Sequence, residues 1–150
     1  MLKLTEDLLK KEPEGLAVEF VKHSEKEKIT STQIRKFYDD LVLLQSKVRT
    51  GVNFEEKILP LIRMTEAKIA YSVGRRVLAK LFYDRISQYI QRIQTREDFD
   101  NFILFYQAVI AYMKFEEIKF ELEKKDLKQI NMEKQGFQNN YSYSRGGARR

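Results

Sequence analysis

A chain of 150 residues, 43% apolar and without cysteine, can bury a core unaided and excludes disulfides, thiol nucleophiles and thiolate metal sites. No apolar run is long enough to cross a bilayer and the opening MLKLTEDLLKKEPEG lacks a signal-peptide core, so no membrane association and a cytoplasmic location are expected. The formal net charge of +6 is concentrated: residues 30–94 carry 12 basic against 6 acidic groups, and residues 131–150 carry 4 against 1, which points to a polyanionic partner.

Only two prolines and six glycines punctuate the chain, so few and long elements, meaning helices, are expected. Residues 2–11 form a short helix before Pro13, with Leu2, Leu4, Leu8 and Leu9 apolar. Residues 14–28 read as an amphipathic helix that ends in the solvated charge run EKEK. His23, the single histidine, has no second ligand or acid beside it in sequence and reads as a surface residue.

Thr30 and Gln33 have capping-box spacing and open a helix over residues 31–49. Its buried face is Ile34, Phe37, Tyr38, Leu41, Leu44 and Val48, with Arg35, Lys36, Lys47 and Arg49 outside that face, and Thr50-Gly51 ends it. Asn53, three residues before Glu56, opens the next helix, which Pro60 must kink or split. The run carries residues 66–76, EAKIAYSVGRR. There Ile69, Ala70 and Val73 face a core, while Lys68, Tyr71 and Arg75 follow one another on the adjacent stripe, with Arg76 beside it. The small side chains of Ala67, Ala70, Ser72 and Gly74 leave room for another backbone. The helix ends near Gly74, which tolerates a left-handed conformation, and the break falls between Val73 and Val77.

Residues 77–94 form a further amphipathic helix. Thr95 then caps a final long one, whose Phe99, Phe102, Tyr106, Val109 and Met113 make a core stripe. Residues 116–130 continue as an exposed helix. From Asn131 the composition turns polar and basic, so residues 131–150 are expected to be a disordered tail. Tyr141, Tyr143, Arg145, Gly146 and Gly147 in it suit either a nucleic-acid arm or a plain flexible tail. The fold class is therefore all-α: a compact bundle of about five helices over residues 1–130, followed by the tail.

Carboxylates sit in lysine-paired helix-surface runs, and no phosphate-cradling glycine loop, zinc spacing or nucleophile motif occurs. No catalytic residue, metal or cofactor is expected, so the chain reads as a binding protein. The cationic stripe is either a solvated helix face or a seat for a phosphate backbone. For the second, the candidates are Lys68, Arg75 and Arg76, then Arg35, Lys36, Arg63, Lys47 and Arg49. A helical interaction module and a DNA-binding regulator are the competing functions.

AKIAYSVGRR at 67–76 resembles the P-K-L/I-A-Y-x-x-G-R core of the small subunit of type III-A CRISPR effector (Csm-type) complexes. TSTQIRKFYDDL at 30–41 resembles that family's T-S/T-Q-I/L-R-K-F segment. FDNFILFYQAVIAYMKF at 99–115 resembles its F-x-x-F-x-x-F-x-x-A/V-I/V-A-Y-x-K helix. The matches follow the family's order and span about residues 30–115, with Ala67 where the family often has proline. The resemblance implies an all-helical, non-catalytic subunit whose copies stack as a minor filament and line the groove holding guide RNA paired with target RNA. It puts Lys68 and Arg75 on phosphates or sugars, and leaves Gln33, Arg35 and Lys36 to RNA, packing or subunit contacts. The partners it implies are guide RNA, target RNA, the backbone and large subunits, and further copies of the chain, with a dimer among the states open to it in isolation.

Overall fold

In the computed structural model, which describes the backbone of residues 1–145 and the side chains of residues 1–138, each long helix begins or ends at a residue whose chemistry dictates it. Seven elements follow in order: a single turn α1 (Glu6–Leu9), α2 (Lys11–His23), α3 (Ser31–Arg49), a π-helical turn (Phe54–Ile58), α4 (Leu59–Gly74), α5 (Lys80–Gln91) and α6 (Arg96–Arg145). There is no strand among the described residues, so the expected all-α class with five main helices holds.

The capping box of α3 is complete: Thr30 Oγ1 accepts from the Gln33 N–H at 3.2 Å and the Thr30 N–H donates to Gln33 Oε1 at 3.0 Å. Asn53 Oδ1 accepts from the Glu56 N–H at 2.8 Å and starts the π-helical turn. Pro60 splits the segment: the π turn ends and α4 starts around it, where the missing N–H breaks no helical bond. Pro13 does the same in α2, which starts at Lys11 rather than residue 14 and ends at His23 rather than residue 28. The EKEK run is thus a connecting segment, not a helix end.

Thr95 Oγ1 accepts from the Asp98 N–H at 3.1 Å, and Asp98 in return accepts from the N–H groups of Gln94 and Thr95, both at 3.1 Å. Asp98 also accepts from the Leu2 N–H at 2.6 Å, and Asn101 donates to the Leu2 carbonyl at 2.8 Å. These bonds hold the N-terminal segment to the start of α6. Burial works to raise the Asp98 carboxyl. The N–H groups of Leu2, Gln94 and Thr95, with the Thr95 hydroxyl, outweigh it and hold the group below the usual carboxylate range.

The core is aromatic. Phe20, Phe82, Phe99, Phe102, Phe105 and Tyr106 are fully buried with Ile34, Leu41, Ile58 and Ile62. Phe20 meets Phe82 edge-on at 5.6 Å between centroids, and Tyr89 stacks on Phe105 at 4.1 Å. The Tyr106 hydroxyl donates to the Ile34 carbonyl at 2.6 Å. The stripe expected on α6 is therefore core.

Two expectations about residues 66–76 need correction. Ile69 is buried, but Ala70 is exposed and Val73 half-buried, because the buried stripe of α4 is Ile62, Thr65 and Ile69. Gly74 ends α4 in helical conformation, and the left-handed residue is Arg76, with φ 59°. The Arg76 N–H bonds the Val73 carbonyl at 2.9 Å and the Val77 N–H bonds the Ser72 carbonyl at 3.1 Å, which is the Schellman pattern. It delays α5 to Lys80, three residues after the expected start at 77.

The chain divides into two units, Met1–Glu116, which contains this core, and Glu117–Arg150. In the second, backbone helix continues to Arg145, where composition predicts an unstructured tail from residue 131. Gly136 is the only breaker in residues 131–145, and every side chain from 131 to 138 is exposed. Residues 146–150, with Gly146 and Gly147, lie outside the described residues, as do the side chains of Tyr141, Tyr143 and Arg145.

Candidate nucleic-acid interface

Two bonds set α4 and the linker after it against the first half of α3. Gln33 Nε2 donates to the Val77 carbonyl at 2.6 Å, and Lys68 Nζ lies 3.3 Å from Asp40 Oδ2. A third joins the connecting segments, the Ala79 N–H donating to the Lys28 carbonyl at 2.7 Å. The segment after α2 is thereby laid along the linker from α4 to α5.

Two clefts flank this crossing. One, of about 500 Å³, is lined by Lys28 and Lys36 together with Thr30, Gln33, Ser72 and Val77. The other, of about 390 Å³, is lined by Lys26, Lys28, Arg76 and Lys80 with Glu27. Lys28 and Leu78 belong to both. Cations from three separate stretches of chain thus converge, and such a concentration suits a phosphate backbone better than a single charge does. Its acids moderate it: Lys80 Nζ is 2.7 Å from Asp84, and Glu27 Oε2 accepts from the Lys80 N–H at 3.3 Å.

The eight cations predicted from sequence fall into four groups. Lys36 and Arg76 line the clefts. Lys68 lies on the exposed face of α4 and Arg75 is exposed at its C-cap, with the Arg75 guanidinium 5.6 Å from the Tyr71 ring centroid. Arg35 is exposed beside Lys36, whereas Lys47 and Arg49 are exposed near the far end of α3, about 16–20 Å along its axis. Arg63 is elsewhere. Its guanidinium donates to the carbonyls of Ile90, Gln91 (3.5 Å) and Ile93 (2.6 Å), capping the end of α5.

Lys26, Lys28 and Lys80 were not among the predicted residues. Lys26 and Lys28 show in the sequence only as part of the EKEK run before the Thr30 cap, and nothing local says that this run meets the 76–80 linker that carries Lys80. His23 is half-buried rather than on the surface, with Nε2 3.7 Å from Glu27. No group of acidic, histidine or cysteine side chains able to hold a metal occurs among the described residues.

A family model described as Csm2 Type III-A matches residues 7–119. The chain belongs to the Csm2 type III-A family. It is thus a small subunit of the type III-A CRISPR complex, whose other subunits are its partners. Neither the curated proteins nor the solved structures contain a match. The Csm2 match reaches further than the three motifs, taking in most of α1, all of α2 and the segment with Lys26 and Lys28, and it contains every cation described above. No helix among the described residues is long and apolar enough to cross a membrane.

Proposed function

We propose that this small subunit holds the guide RNA–target RNA pair by its backbone, without reading sequence and without catalysing a reaction. Copies stack side by side along the complex through head-to-tail surfaces, which do not close on themselves. The observation that carries the RNA reading is the convergence of Lys26 and Lys28, Lys36, and Arg76 at one crossing of chain. Lys68, Arg75 and Arg35 extend that charge along α4 and α3; Lys47 and Arg49 continue it toward the far end of α3. A-form RNA is recognised by shape and by phosphate and sugar contacts, for which cations on helix faces are suited. Arg76 supports the same reading: a left-handed arginine is held in an unfavourable conformation where glycine would be relaxed.

The α2–α3 connection argues against a DNA regulator, since residues 24–30 exceed the three- or four-residue turn of a helix-turn-helix. Exposed Leu61 and Met64 on α4, with Leu43 on α3, favour a partner-subunit surface beside the cations.

The test is binding of the full chain to paired RNAs of unrelated sequence, and to duplex DNA, at several salt concentrations. Equal, salt-sensitive affinity for the RNAs is expected. A strong preference for one sequence, or for palindromic DNA, would refute the proposal.

A further inference from the structure

Tyr71 is unlike the other tyrosines whose side chains are described. Tyr106 is buried, while Tyr38, Tyr83, Tyr89 and Tyr112 are half-buried. Tyr38 stacks on Tyr106 at 5.8 Å, and Tyr89 stacks on Phe105 and donates its hydroxyl to Glu12 at 2.7 Å. Tyr71 is 66% exposed and makes no ring–ring contact among the described residues. A lone exposed aromatic needs no explanation by itself. Its neighbours give it one.

Lys68 lies three residues before it and Arg75 four after, so all three share one face of α4. The Arg75 guanidinium is 5.6 Å from the ring centroid, within the range of a cation–π contact. Lys68 and Arg75 are about 10 Å apart along the axis with the ring between them. A planar π surface between two cations is the arrangement on which single-stranded nucleic acid settles, the base on the ring and the flanking phosphates toward the charges.

We propose that Tyr71 is a stacking platform for an unpaired RNA base, at an end of or a break in the paired RNA. This rests on the RNA reading above and deepens it: the backbone cations hold any RNA, and Tyr71 adds a preference for a nucleotide outside a duplex. Stacking tolerates every base, because each has a π face, so the platform leaves binding independent of sequence.

The test uses the full chain with Tyr71→Ala and Tyr71→Phe, a short single-stranded RNA and the same RNA paired with its complement. A second single strand carries an adenine analogue whose fluorescence is quenched on stacking. Tyr71→Ala is expected to weaken single-strand binding about 5- to 100-fold. It should leave the salt slope and duplex binding at wild-type values and abolish the quenching, and Tyr71→Phe should retain all three. Wild-type single-strand affinity in Tyr71→Ala, or an unquenched analogue on the wild-type protein, would overturn the platform while salt-sensitive binding still upheld the backbone reading. The exposed ring would then belong to a partner-subunit contact. Absence of salt-sensitive RNA binding by the wild type would overturn both.

Discussion

Gly51 and Arg76 occupy equivalent positions in two copies of one motif. Each is the left-handed residue after a helix, with φ of 94° and 59°. Each donates its N–H to a carbonyl three residues back, Gly51 to Val48 at 3.1 Å and Arg76 to Val73 at 2.9 Å. The next residue closes the outer bond in both, Val52 to Lys47 at 3.2 Å and Val77 to Ser72 at 3.1 Å. Glycine adopts this backbone freely, whereas a side chain there is unfavourable by about 1–2 kcal/mol.

It follows that Arg76→Gly should make the protein more stable by up to about 1 kcal/mol while weakening RNA binding. Gly51→Ala, at the relaxed copy of the motif, should lower stability by about 1 kcal/mol with RNA binding unaltered. Urea unfolding midpoints and RNA titrations on the two variants measure both effects. A less stable Arg76→Gly would show that the arginine side chain holds the turn.

Arg63 and Lys36 should separate structural from interfacial cations. Arg63→Ala removes the cap from three carbonyls at the end of α5 and should cost about 1.5–3 kcal/mol, with the RNA salt slope intact. Lys36→Ala, exposed on α3, should leave the unfolding midpoint within about 0.5 kcal/mol of wild type and reduce the magnitude of the slope by about 0.7–0.9. Loss of RNA binding by Arg63→Ala without loss of stability would reverse the assignment.

Gln33 serves two elements, its carbonyl oxygen capping α3 and its amide holding the Val77 carbonyl. Gln33→Ala should cost about 1 kcal/mol and speed amide exchange across the 76–80 linker. Unchanged exchange at Ala79, whose N–H bonds Lys28, would mean that the crossing holds without it.

Acid should destabilise the fold through two carboxyls. Asp98 is held low by the amides that outweigh its burial, and Glu19 by its hydrogen bonds to Arg85, at 2.7–3.3 Å, with the arginine's charge adding to them. Both have folded pKa values below their unfolded ones. Their stabilisation is therefore complete above the unfolded carboxyl range, about pH 4, and is lost as pH falls through the folded values. Asp98→Ala should flatten that decline and lower stability at neutral pH by about 1–3 kcal/mol, since the Leu2 N–H is left unpaired in a buried place. Unfolding midpoints measured from neutral pH downward check both statements.

What the sequence discloses of this fold is its local chemistry. Thr30 with Gln33, Asn53, Pro60 and Thr95 announce helix starts because each acts on backbone groups within three or four residues. The aromatic stripe of α6 shows in its period. Gly74 misleads, since the hydrogen bonds of the Schellman turn fix the left-handed residue two positions later, where an arginine stands. The interface is legible only in part for the same reason. Lys68, Tyr71 and Arg75 share one helix, so spacing reveals them. Lys26 and Lys28 reach Arg76 through the Ala79–Lys28 and Lys80–Glu27 bonds, and Arg63 reaches α5 across 27 residues or more, contacts with no local signature.

The most direct measurement is the salt dependence of RNA binding by the full chain carrying Lys28→Ala, Lys36→Ala and Arg76→Ala together. If these three cations hold phosphates, the log–log slope should fall in magnitude by about 2–3, equally for RNAs of different sequence. A wild-type slope in the triple variant would contradict the account, because the charge gathered at the α3–α4 crossing would then not touch RNA.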